Sequence, residues 1–109
     1  MTTQTATVSI GGPLGSMGFT ATCTDIVWNE LKDETNTLSL YQVMKGQPIN
    51  HFVGEYAAGG GIIRVRNSVT NVVKCMGSLN TIASQRVAYF EKPFVVEDKD
   101  VLEAFTLAA

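Results

Sequence analysis

Cysteine, histidine and charge are all scarce in this chain. Its 109 residues hold two cysteines and one histidine, and Asp, Glu, Lys and Arg make up only 17%, below the roughly 25% of an ordinary soluble domain. Cys23 and Cys75 stand 52 positions apart with no Cys-x-x-Cys, and His51 is the only imidazole. Such a set cannot close a tetrahedral zinc site, and no metal or cofactor is expected. Each thiol lies in an apolar, alternating stretch, which reads as two buried thiols in a reducing compartment. A disulfide between packed sheets is the other reading. A Ser-His-Asp or Cys-His system would have to use His51, and the Gly-x-Ser-x-Gly elbow is missing, so no catalytic residue is expected. No run of about 18 apolar residues occurs, so no membrane-spanning helix is expected. The opening Met1-Thr-Thr-Gln-Thr-Ala lacks the basic start and apolar core of a secretory signal, and there is no Asn-x-Ser/Thr acceptor. A net charge of −2 and a pI near 5.2 exclude a nucleic-acid binder that works through a basic field. With 45% hydrophobic residues the chain has no disordered character either.

What is abundant is β-branched. Thr and Val each occur 12 times, and both suit a pleated surface. Thr5 to Ile10 alternates strictly, with Ala6, Val8 and Ile10 on one face. Phe19, Ala21 and Cys23 alternate with Thr20, Thr22 and Thr24. Ile26 to Trp28 either continues this strand or opens a short helix capped by Asp25. Further strands are predicted over Thr37–Met44, His51–Ala57, Ile62–Asn67, Asn71–Met76, Arg86–Lys92, Phe94–Glu97 and Val101–Leu107. Eight or nine short strands at this spacing predict an all-β, antiparallel sandwich or jelly-roll-like fold in a single domain. No internal repeat is visible. Residues 1–18, rich in Gly and Thr, read as an N-terminal arm with one short strand, and residues 19–109 as the sandwich body.

The chemistry-bearing residues divide as follows. Gly59-Gly60-Gly61 precedes a strand rather than a helix and lacks the Lys-Ser/Thr of a phosphate loop, so it reads as a turn. Glu97-Asp98-Lys99-Asp100 is too short a ladder for a calcium loop and reads as a solvated hairpin turn, with a weak cation site as the lesser alternative. Arg64 and Arg66 share a strand face. Together with Arg86 or Lys74 they form a small positive patch, suited to inter-subunit ion pairs with Glu55, Glu91 or Asp33. Trp28, Tyr41, Tyr56 and Tyr89 either pack in the core or form an aromatic platform for a sugar.

Sparse charge on a strand-rich chain suits permanent contact with other subunits, because interface cores are depleted of charge. The contacting residues expected are Thr2, Thr3, Thr5, Leu14 and Met17 in the arm, Gly59, Gly60 and Gly61 in the loop, Arg64 and Arg66, and Leu107 and Ala109 in the tail. Removal of residues 1–12 is expected to leave a folded body that no longer attaches to its partner.

The uncharged Gly/Thr-rich region Met1–Gly18, the Val/Thr-rich body and the closing hairpin Glu91–Phe105 together make the chain similar to the small β-rich decoration or cement proteins of tailed-bacteriophage heads. The likeness is one of layout over the whole chain and carries no residue roles across. It implies a non-enzymatic clamp of the virion, a homotrimer or other homo-oligomer bound to the major capsid protein or other shell subunits. No nucleic acid or membrane is implied as partner. A monomeric carbohydrate- or ligand-binding sandwich is the alternative function.

Overall fold

Strict alternation in the first strand sets the centre of the molecule. The computed structural model describes residues 3–24, 27–56, 61–79 and 88–106. In β1 (Thr3–Gly12) the side chains of Ala6, Val8 and Ile10 are wholly buried while Thr5 and Thr7 face solvent. A two-residue turn at Pro13-Leu14 returns the chain into β2 (Gly15–Thr24), which pairs with β1 over ten positions. The glycines allow this tip. A Cβ on Gly12 would meet the Pro48 carbonyl oxygen at 2.0 Å, and Gly15 has φ +119°, a conformation that only glycine adopts without strain. The segment expected to extend as an arm is therefore half of the central hairpin. Its other edge pairs with β4 (Pro48–Tyr56) from Ala6 to Gly11.

The remaining strands are β3 (Trp28–Asp33), β5 (Gly61–Asn67), β6 (Val73–Leu79), β7 (Ala88–Val95) and β8 (Asp100–Thr106), and every pairing is antiparallel. They form one nearly closed sheet in the order β6-β5-β8-β3-β2-β1-β4-β7. Within it β4-β1-β2-β3 is a Greek key. The second half repeats that connectivity as β8-β5-β6-β7, with β7 beside β6 but no ladder pair between them among the described residues. The halves join at β3–β8 and β4–β7. The all-β, antiparallel, single-domain expectation is thus met, with the two expected layers formed by one rolled sheet.

Of the two readings left open at Trp28 the strand holds, as a separate strand over Trp28–Asp33. Two local expectations differ. Arg86–Lys92 and Phe94–Glu97, expected as two strands, contribute to the single strand β7, and Arg86 lies outside the described residues. Thr37–Met44, expected as a strand, instead contains the one-turn helix α1 (Leu40–Met44). Gln42 Oε1 accepts the Ser39 N–H at 2.8 Å, the returning bond of a capping box. Leu40 and Met44, four apart, both turn into the core. Core residues from both halves meet inside the roll, among them Val8, Ile10, Phe19, Leu31, Ile63 and Leu102. The ring of Phe52 lies against Gly77, where a Cβ would come within 2.3 Å of it.

Candidate functional site

The outer face of β5, β8 and β3 carries an ionic cluster. Register places Arg64 opposite Glu103 and Trp28 opposite Phe105. The Glu103 carboxylate is almost buried and accepts from Arg64 Nε at 2.8 Å, Arg66 Nε at 2.9 Å and Arg66 Nη2 at 3.0 Å. Arg66 Nη1 donates to Asn71 Oδ1 at 2.7 Å. The Arg64 guanidinium lies 3.8 Å above the Trp28 ring, whose centroid is 5.5 Å from that of Phe105, a spacing typical of favourable aromatic pairs. Burial pushes the Glu103 carboxyl pKa up, but hydrogen bonds from Arg66 and Arg64 outweigh it and hold the group below its ordinary value. The two arginines thus give this carboxylate three charge-assisted hydrogen bonds that favour its ionised form. Within the chain both arginines pair with Glu103. Of the acids named for them, Asp33 accepts from Thr35 Oγ1 and the Thr37 and Leu38 N–H groups of its own loop. The side chains of Glu55 and Glu91 lie outside the described residues.

A second charged group closes the open side of the roll. Lys74 sits at the β6 irregularity and reaches the β7–β8 turn. Its Nζ donates to Val95 O at 3.3 Å, pairs with Asp100 Oδ2 at 2.7 Å and also contacts Glu97. Asp100 is fully buried and also accepts from Glu97 N–H at 2.8 Å and Asn67 Nδ2 at 3.0 Å. Burial lowers the Lys74 ammonium pKa, but Asp100 and Glu97 more than offset that and raise it. The turn expected to be solvated thus has Asp100 turned inward, and the cation it holds is a lysine. Lys74 does not join Arg64 and Arg66 in a patch. Among the described residues no cluster of three metal-ligating groups occurs.

Of the expected contact residues, Leu14 is 71% exposed at the hairpin tip and Met17 is exposed beside it. Thr5 faces solvent on β1, and Gly61 is a buried strand residue of β5 rather than loop. Thr3 opens β1, its side chain undescribed, and Thr2, Gly59, Gly60, Leu107 and Ala109 lie outside the described residues. Trp28 stacks against Arg64 and Phe105, and Tyr41 lies under the Lys99 ammonium at 5.0 Å. The side chains of Tyr56 and Tyr89 are undescribed. A polar cleft of about 340 Å³ opens where β2 and β3 part after Thr20↔Lys32, lined by Thr20, Thr22, Asn29, Glu30 and Asn36. His51 Nδ1 shares a hydrogen bond with Asn50 Oδ1 at 2.7 Å.

Comparison with protein-family models, curated proteins and solved structures finds no match.

Sequence reading missed Glu103 and the inward turn of Asp100. The available signal was a carboxylate inside an apolar strand, Val101-Leu102-Glu103-Ala104. Cys23 and Cys75 are both free thiols. Burial raises the pKa of Cys23 and pushes that of Cys75 up to about 12. At pH 8 the native Cys75 thiol should react with Ellman's reagent about a thousandfold more slowly than an ordinary cysteine, because the thiolate is the nucleophile. Both thiols should titrate in denaturant. Prompt reaction of the native protein at Cys75, read by peptide mapping, would contradict this burial.

Proposed function

We propose that this chain is a structural protein of a virion, a decoration protein that attaches to a capsid through the β1–β2 hairpin tip. The observation that supports this is the tip itself. Pro13, Leu14 and Met17 stand exposed at the end of a hairpin whose strands form the middle of the sheet. The support is rigid and the end apolar, which suits a knob that enters a pocket on a partner with little ordering cost. The capsid as partner follows from the layout similarity to phage decoration proteins, and the major capsid protein is the subunit it would touch. The sugar-binding alternative draws no support from Trp28, whose ring carries the Arg64 guanidinium.

The test is sedimentation of the native source material, with mass spectrometry of the heavy fraction. The chain should travel with a large particle in a fixed ratio to the shell protein, and added recombinant Leu14→Glu protein should fail to bind that particle. Recovery only in the light fraction would refute the reading.

A further inference from the structure

Arg64 and Arg66 share one carboxylate but are held unequally. Arg66 uses all three nitrogens, with Nε and Nη2 donating to Glu103 and Nη1 to Asn71. Arg64 donates only through Nε, to the same Glu103 oxygen that Arg66 Nε uses. Among the described residues its Nη1 and Nη2 groups have no acceptor. Charge is left over as well. The other acid whose field Arg66 feels, Glu30, is paired with Lys32 at 3.6 Å. Asp100 and Glu97 face Lys74 at the closing side of the roll. Three cations, Arg64, Arg66 and Lys32, against two carboxylates, Glu103 and Glu30, leave this face with a surplus positive charge on a chain whose net charge is −2.

The free end of Arg64 is also held in place. Its Nε is fixed on Glu103, and one face of the guanidinium lies 3.8 Å above the Trp28 ring. Guanidinium donors lie in the plane of the group, so stacking on a ring leaves the Nη edge able to bond. The side chain is 20% exposed. Register sets the exposed Met76 beside Arg64 on β6, and alternation puts the exposed Ile62 on the same face of β5. We infer that Arg64 anchors a partner protein through the carboxylate of an Asp or Glu side chain flanked by an apolar residue. A carboxylate fits the Nη1/Nη2 fork with two parallel hydrogen bonds and cancels the surplus charge. Met76 and Ile62 offer contact to the apolar neighbour, and Arg, Trp and Met are residues enriched where proteins meet. One free guanidinium edge is too little for a nucleic-acid backbone, which takes several phosphate contacts. This contact is separate from the hairpin tip and does not depend on capsid attachment.

Trp28 is the only tryptophan in the chain, so its fluorescence reads this site directly. Titration of the full-length protein with a blocked Leu-Glu-Leu tripeptide should give a saturable change, and binding about tenfold tighter than that of blocked Leu-Gln-Leu, because the hydrogen bonds to the glutamine peptide are not charge-assisted. Arg64→Lys keeps the positive charge beside Glu103 but lacks the fork, so it should lose this preference while circular dichroism shows an unchanged fold. Arg66→Lys should retain it. In the unmodified protein the Arg64 Nε–H signal in NMR should move with the glutamate peptide and not with the glutamine one, a readout that needs no variant. Equal binding of the two peptides, a preference that survives Arg64→Lys, or a static Arg64 signal would overturn the inference. Displacement of the glutamate peptide by an equal concentration of acetate would overturn the flanked side chain as occupant in favour of a free carboxylic acid. A Trp28 signal that shifts with protein concentration alone would overturn it in favour of a second copy of this chain.

Discussion

A chain lacking residues 1–12 should be unfolded. β1 lies inside the sheet, paired with β2 along its whole length and with β4 over six positions. Its removal strips two neighbours of their ladder bonds and takes Ala6, Val8 and Ile10, all fully buried, out of the core. Truncating one buried Ile or Leu to Ala costs about 2–5 kcal/mol, and a domain of this size is stable by only about 5–15 kcal/mol in all. Loss of the whole strand exceeds that margin before the broken backbone pairing is counted. Circular dichroism and amide NMR should show no cooperative thermal transition in the truncated protein. The single change Ile10→Ala should lower the melting temperature by about 10–30 °C on the usual scaling for small domains. A truncated chain with a well-dispersed spectrum would mean that β1 is dispensable, and the arm read from the sequence would be restored.

That contrast shows what was legible in the residues and what was not. The inward set Ala6, Val8 and Ile10 was readable because period two is a local property of a strand. Whether such a strand sits at the rim or the centre is decided by its partners, Thr24 to Gly15 on one side and Tyr56 to His51 on the other, and those are non-local. The glycines misled for a related reason. Gly11 and Gly12 lie past the alternating run, in what reads as a Gly/Thr-rich arm, yet they are strand residues whose missing side chains make room for Ser16 and Pro48. At α1 two local signals competed. Thr37–Met44 has strand-like content, while Ser39 and Gln42 form a capping pair, and one helical turn is too short to show a 3.6-residue period. The charged groups followed the same rule. Arg64 and Arg66 were visible as a shared face, but their partner Glu103 is 37 or more positions away and adjacent only through the β5–β8 register.

The largest single-residue electrostatic effect should come from Lys74→Met. β6 and β7 complete the roll without a ladder between them among the described residues, so side chains must hold that side closed. Lys74 does so from β6, contacting Val95 O, Glu97 and the fully buried Asp100. Methionine keeps much of the lysine's apolar length but leaves the Asp100 carboxylate in the interior without its cation. Removing one member of a buried pair costs about 3–5 kcal/mol, more than the pair gains over an apolar substitute, because the remaining charge is uncompensated. Glu97 is 70% exposed on its side chain, so Glu97→Gln should cost under about 1 kcal/mol. A double-mutant cycle of Lys74→Met with Asp100→Asn, followed by urea unfolding, should show strong coupling, with the double variant more stable than the sum of the single losses predicts. The pH dependence has a definite sign. The folded-state pKa of Lys74 is raised, so its contribution is complete below the unfolded value near 10.5 and is lost as pH climbs through the folded value. Wild type should therefore lose stability at alkaline pH by a step that Lys74→Met lacks. If Lys74→Met unfolds at the same urea concentration as wild type, then the lysine does not close the roll, and β6 must be held there by apolar packing such as that of Phe52 on β4 against Gly77.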